Sequence, residues 1–260
     1  MKIEQKIQLK EEGFTILRNV ISNEWLKIIS SSMDISFENH RKIKIDKEIY
    51  DSSSIALHAL VNDDVYIEFL KYLQSIGFIK SLQDNFFGST CILNSFSALD
   101  NLKDQSNFSA MAHRDLRFYS GHFPIMINCL VMVDDFTIEN GATYLLPGSH
   151  LEESTPSDEY FFENAIQATG NAGDILIFNS NVWHAAAPNT TLEHRRAIPI
   201  TISKSFMKQL LDYPRALGYE RMHEFSDEMQ QLLGYHSRVP ASIDEWYQPE
   251  DNRYYKKNQD

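Results

Sequence analysis

The chain has 260 residues, with 24 Lys and Arg against 36 Asp and Glu, a formal net charge of −12, 43% hydrophobic residues and 23% charged residues. These proportions exclude a disordered or fibrous chain. With a pI near 5.2 they also exclude a protein that coats nucleic acid, because phosphate binding needs clustered Lys and Arg. A chain of this length buries roughly 70–75% of its unfolded surface, enough for one sizeable core.

The opening MKIEQKIQLKEEGF lacks a secretory apolar core, and no run approaches a membrane span of ~18 apolar residues, so a soluble, cytoplasmic protein without a membrane partner is expected. The first few residues and the tail from Glu250 read as mobile. FTILRNVI reads as a short strand. Ser22 or Asn23 caps a helix through Trp25 and Ile29, Asn62 or Asp63 caps a second through VYIEFLKYLQSI, and FIKSLQDNFF makes a third.

From about Ser89 to Lys204 the apolar runs become short and β-rich: CILNSFSAL, SAMAHRD, IMINCLVMVDDF, ATYLLP, GDILIFNS, VWHAAAP and RRAIPITISKSF. Turn signals at Asn140-Gly141, Pro147-Gly148, Gly173-Asp174 and Pro188-Asn189 punctuate them. FMKQLL and SDEMQQLLG, the latter stopped by Gly234, return to helix. The expectation is a mainly β fold with flanking helices, a sandwich or closed jelly roll. Residues 1–260 form one domain, with the β core at about 89–204 and helical segments before and after it. Cys91 and Cys129 sit in apolar runs and read as buried, reduced thiols.

Three places carry chemistry. In His113-Arg114-Asp115 an imidazole and a carboxylate two residues apart project to one side of an extended chain, and Arg114 points away. The kinase reading of His-Arg-Asp fails, because position 120 is Ser where a kinase needs Asn and no Asp-Phe-Gly follows. His184 ends an apolar strand and precedes three alanines, which leave room around its ring. Two histidines and one carboxylate leave open positions on a metal, the arrangement of non-haem Fe(II) oxygenases, whereas structural zinc takes four protein ligands. Arg195 starts a strand leading back through the core. A buried guanidinium needs an anionic partner, and its fork suits a dicarboxylate. Arg196 faces the opposite side.

These signals resemble the phytanoyl-CoA dioxygenase family of Fe(II)/2-oxoglutarate oxygenases. EEGFTILRNVIS is similar to the family's opening strand and helix start, His113-Arg114-Asp115 to its His-x-Asp, and NGATYLLPGSH to its PGSH turn. GDILIFNSNVWHAAAPN with the following RRA resembles its distal-histidine segment and arginine, and LLGYHSRVPASIDEWY resembles a C-terminal segment of bacterial members. The resemblance implies a double-stranded β-helix. It implies Fe(II) held by His113, Asp115 and His184, and 2-oxoglutarate paired with Arg195 and contacted by Thr143 and Asn94. The implied reaction hydroxylates a small-molecule substrate, consuming O2 and releasing succinate and CO2. Ala186 stands where some members have a serine that touches the cosubstrate. Because Asp115 is present, hydroxylation is expected over halogenation, in which a small residue replaces the carboxylate.

Three other outcomes stand beside hydroxylation: desaturation or ring closure by the same oxidant, a non-catalytic cupin-like metal- or ligand-binding protein, and a zinc hydrolase. His150 reads as a turn residue, Trp183 as core, and His122 and His194 as surface. Arg117 and Tyr119 follow Asp115 where a loop lines the mouth of the site, and Glu152 to Glu163 reads as a solvated loop or lid. Neither the substrate nor the oligomeric state is specified by the sequence.

Overall fold

The computed structural model describes residues 1–49, 54–103, 110–257 and 259. Helix α1 (Ile3–Glu11) occupies the start of the chain, where mobility was expected. It buries only Leu9 and is fastened by polar contacts: Thr15 Oγ1 donates to Gln8 Oε1 at 2.9 Å and Gln5 Nε2 to the Ile16 carbonyl at 3.3 Å. Those bonds dock it on β1 (Phe14–Leu17), which explains why no apolar stripe announces it. Ser22 caps α2 (Asn23–Asp46) by accepting from the Trp25 amide. β2 (Ser54–Ala56) follows. Asp63 caps α3 (Asp64–Ser75), and α4 (Phe78–Leu82) continues into a π-helical turn through Phe87.

The β region comprises β3 (Cys91–Phe96), β4 (Ala98–Asp100), β5 (Met126–Met132) and β6 (Tyr144–Leu145), then, after helix α5 (Asp158–Asn164), β7 (Ile166–Gln167), β8 (Ile175–Asn179), β9 (His184–Ala185) and β10 (Arg196–Lys204). A seven-stranded antiparallel sheet runs β1-β8-β5-β10-β4-β2, with β3 also on β10; a three-stranded sheet runs β7-β6-β9. This is the expected jelly roll. Helices α6 (Tyr213–Leu217), α7 (Asp227–Leu233) and α8 (Ile243–Trp246) close the chain.

Side-chain alternation builds both faces of the large sheet. Ile198, Ile200 and Ile202 on β10, Ile127, Cys129 and Val131 on β5, and Ile175 and Ile177 on β8 pack in one core with the helical layer. Their neighbours Thr201, Asn128 and Phe178 turn into the interior of the roll. Each buried isoleucine contributes roughly 1.5–3 kcal/mol, so a one-residue slip that reversed these faces is heavily disfavoured. Pro199 sits inside this central strand without breaking it. Its carbonyl accepts from Ser97 N at 2.9 Å, so its missing N–H falls on the junction between β3 and β4, where the ladder is already interrupted.

The segment FMKQLL is not helical. Met207 N closes a turn on the Lys204 carbonyl, Leu210 N bonds to the Asn94 carbonyl, and Gln209 Nε2 donates to Leu93 and Leu233 carbonyls, which fastens an extended connection to β3. The acidic stretch contains α5, capped by Ser157. The tail is tied down as well: Ser237 and Tyr255 form a bridge, and Lys256 N donates to the His236 carbonyl at 2.9 Å. No helix among the described residues is long and apolar enough to cross a membrane.

The turn before β8 gives a stability prediction. Asp174 is buried and accepts from Asn19 N at 2.7 Å, Arg18 Nη1 at 2.7 Å and Asn171 N at 2.9 Å. Burial alone raises its pKa, but these three donors outweigh burial and hold the carboxyl below its ordinary value. A depressed pKa gives stability that is complete above the unfolded-state value of about 3.9 and is lost as pH falls through the folded value. Asp174→Asn is expected to cost about 2 kcal/mol at neutral pH and progressively less in acid. Urea unfolding of both proteins across that range checks it; a difference independent of pH contradicts it.

Candidate active site

His113 and His184 lie opposite each other as an antiparallel bridge and exchange both main-chain hydrogen bonds at 3.0 Å. Among the described residues this is the only ladder contact around His113, so the strand expected through SAMAHRD is not formed there; the chain bends at Asp115. The alternation survives over this short piece. Ring Nδ1 of His113 bonds to the Met111 carbonyl at 2.9 Å and that of His184 to the Val182 carbonyl at 3.0 Å. A carbonyl only accepts, so both Nδ1 atoms carry a proton and each ring, when neutral, offers its lone pair at Nε2. Burial lowers the pKa of His113, but Asp115 and the Met111 carbonyl outweigh it and hold that ring above its ordinary value. The Nε2 atoms lie 3.5 and 3.6 Å from the two oxygens of Asp115. One ligand atom from each of the three residues falls within 4.8 Å of the others.

The surroundings prepare these groups as ligands. Burial pushes His184 below its ordinary pKa despite the nearby Asp115, which keeps the ring neutral. Burial also disfavours the charged form of Asp115, but His113 and Arg117 beside it, with His184 whenever that ring is protonated, outweigh burial and hold its carboxyl below the ordinary value. Asn128, on β5, donates to Asp115 Oδ2 at 2.7 Å and to Ser180 Oγ at 3.0 Å, and accepts from Thr201 Oγ1 at 2.8 Å. Thr201 is its register partner on β10. Asn128 therefore fixes the carboxylate through one oxygen. Asn128 is not among the residues singled out from the sequence, although an amide inside an apolar strand, at an interior-facing position, is a usable signal.

Arg195 is 2% exposed, and burial pushes it down to about 10 despite partial help from Asp100. Its Nε has no hydrogen-bond partner, and its guanidinium lies over the Phe136 ring at 4.7 Å. Arg196 points the other way and forms a fork with Asp134, both contacts at 2.9 Å. A cation this deep with no carboxylate in hydrogen-bond contact is costly, so the fold holds a guanidinium ready for an anion.

One cavity of about 670 Å³ is lined by His113, Asp115, His184, Arg195, Thr143 and Asn94 together. Asn94 commits its Nδ2 to the Lys208 carbonyl at 2.9 Å. Ala186 lies on the wall, so no hydroxyl is offered there. Arg117 lines the cavity, whereas Tyr119 turns away and donates to the Leu151 carbonyl at 2.8 Å. Arg114 faces the opposite side. It donates to the carbonyls of Ser149 (2.8 Å) and Glu152 and stacks on Trp183 at 5.0 Å, which ties the His-x-Asp segment to the Pro147-Gly148 turn. His150 Nε2 bonds to the Lys10 carbonyl at 3.1 Å, a structural contact outside the cavity lining. His122 is exposed, and His194 is bonded to Asp100 at 2.6 Å.

The profile of the phytanoyl-CoA dioxygenase (PhyH) family matches residues 9–197. An uncharacterized protein of Mycobacterium tuberculosis is 41% identical over 153 residues, 58% of this chain and 56% of that protein. Dioxygenase andF of Emericella variicolor is 30% identical over 131 residues, 49% of this chain and 45% of its own length. The chain thus spans about half the length of the curated relatives it matches. The crystal structure of the epimerase SnoN in complex with Fe3+, alpha ketoglutarate and nogalamycin RO shares the fold, with a TM-score of 0.58 at 18% identity over 77% of this chain and 82% of that one.

Proposed function

Because this chain belongs to the phytanoyl-CoA dioxygenase family, we propose that it is an Fe(II)- and 2-oxoglutarate-dependent dioxygenase, an oxidoreductase that hydroxylates a small-molecule substrate while consuming O2 and releasing succinate and CO2. Residues 1–260 act as one catalytic domain in this reading. The observation that carries it is the meeting, on one cavity wall, of His113, Asp115 and His184 with the buried guanidinium of Arg195, whose Nε has no hydrogen-bond partner.

The residues fit the metal and the cosubstrate. Two imidazole lone pairs and one carboxylate are a donor set for Fe(II) that leaves positions open, and no cysteine joins them. When bound, iron with 2-oxoglutarate supplies the chemistry that couples O2 to oxidation of the cosubstrate and substrate. The chain holds and orients. His113 and His184 present Nε2, Asp115 presents one oxygen, and Asn128 keeps the carboxylate from turning. Arg195 pairs with the far carboxylate of 2-oxoglutarate, with Thr143 and Asn94 on the wall beside it. Phe136 and Phe178 keep this end of the roll dry, which strengthens the ion pair. Among the described residues Asp115 is the only carboxylate residue lining the cavity, and none of them offers a separate general base for zinc-type hydrolysis.

Aerobic incubation of the Fe(II)-loaded chain with 2-oxoglutarate tests the reading. Succinate is expected to form slowly without substrate, matched by O2 uptake. No succinate from folded, iron-loaded protein contradicts catalysis and leaves a binding protein. Asn128→Ala is expected to weaken metal binding about 10- to 100-fold, the range for groups that orient a ligand. Calorimetric titration with Mn(II) under argon checks this, and an unchanged affinity assigns Asn128 to packing alone.

A further inference from the structure

The cavity contains more than the metal and cosubstrate groups, and a five-carbon cosubstrate leaves much of its 670 Å³ free. The free wall is apolar: Leu57, Leu99, Leu116, Phe118, Met126 and Leu130 all line it. The rim is apolar as well. Leu57 is 60% exposed, Phe118 53% and Leu210 71%, and all three line the same cavity. Exposed apolar side chains scattered singly are ordinary, but three converging on one mouth mark a binding surface.

The charged lining is one-sided. Beyond Asp115 and Arg195, the charged residues of the wall among those described are Arg117 and Lys208, both cations, in a chain with 36 acidic against 24 basic residues. Neither side chain has an ion pair or hydrogen bond among the described residues. Their positions follow from elements already fixed. Arg117 stands two residues past Asp115, and Lys208 is held where its carbonyl accepts from Asn94. The connection carrying Lys208 also places Met207 and Leu210 on the wall, so one segment supplies both apolar and cationic surface.

We propose that the substrate is amphipathic, an apolar body carrying an anionic group, and that Arg117 and Lys208 recognise the anion at the cavity while the leucine- and methionine-rich wall holds the body against the metal side. Arg117 offers a planar fork and Lys208 a point charge, so a carboxylate and a phosphate are both suited to the pair. This rests on the cavity being the oxygenase site, but binding without turnover tests it separately.

The experiment titrates the full chain, with 2-oxoglutarate present to occupy Arg195, against three probes of one chain length: decanoate, decyl phosphate and decan-1-ol. At least one anion is expected to bind about tenfold more tightly than the alcohol, the advantage of a charge-assisted contact, and the tighter of the two anions identifies the headgroup. Arg117→Gln with Lys208→Gln removes the advantage, Arg117→Lys with Lys208→Arg retains it in part, and Arg195→Gln leaves it intact. Equal binding of alcohol and anions, or no binding of any probe, overturns the proposal. So does an advantage that survives the double glutamine variant. An advantage lost only in Arg195→Gln means that the probe has taken the cosubstrate position, which also overturns it. Failure of succinate formation with the anion preference intact would leave this recognition standing and remove the oxygenase reading alone.

Discussion

Replacing His184 by alanine is expected to weaken metal binding by more than about 100-fold, beyond the loss seen when only an orienting group is removed, and to abolish 2-oxoglutarate turnover. Only three residues among those described supply ligand atoms here, so each carries a large share of the affinity. His184 is also the best prepared of the three. It is 6% exposed, its Nδ1 is tied to the Val182 carbonyl, and burial keeps it neutral and therefore able to coordinate near neutral pH. The cost to the fold is expected to be much smaller, about 1–2 kcal/mol for the lost hydrogen bond and the ring contact with Phe178 at 4.8 Å. The ring already lines an open cavity, so its removal enlarges that space and seals no new void. Calorimetric Mn(II) titration and urea unfolding, run on the same preparations, separate the two effects. Metal binding retained within a few-fold contradicts the assignment.

Arg195→Met is expected to move cosubstrate binding and stability in opposite directions. An ion pair between a guanidinium and a carboxylate in a dry pocket is strong, so the apparent 2-oxoglutarate affinity falls about 100-fold, equivalent to ~2.7 kcal/mol. Without cosubstrate the same guanidinium is a buried charge with no carboxylate in direct contact and only partial help from Asp100, and methionine fills similar space without desolvating a cation. The variant therefore unfolds at higher urea, by about 1 kcal/mol in the absence of 2-oxoglutarate. Arg195→Lys retains the charge but not the fork and falls between the two proteins in affinity. A variant that loses both affinity and stability identifies Arg195 as a structural residue.

The residues that meet in the cavity come from widely separated parts of the chain, yet most were legible because local rules agree with the fold around them. Ser22 and Asp63 announce α2 and α3 through their caps, and Gly234, with φ at 91°, ends α7 as a left-handed stop. Pattern placed Arg195 inward and Arg196 outward because alternation along β10 is strict. Legibility failed where polar side chains bonding to other elements fix the local structure. Gln5 and Gln8 hold α1 against β1, and Gln209 and Leu210 hold FMKQLL extended where its helical period suggests otherwise. Asn128 was missed for the same reason: its role depends on Asp115, Ser180 and Thr201, three partners brought together only by the folded roll. The apolar wall and its two cations belong to that class too, since five segments contribute to a surface that none of them shows alone.

The most direct measurement is an anaerobic titration of the purified chain with Fe(II) and then 2-oxoglutarate, followed by visible absorption. The account predicts a weak charge-transfer band that saturates near one iron and one cosubstrate per chain, disappears in His184→Ala, and needs roughly 100-fold more 2-oxoglutarate in Arg195→Met. Folded parent protein that shows no band at saturating Fe(II) and 2-oxoglutarate contradicts it.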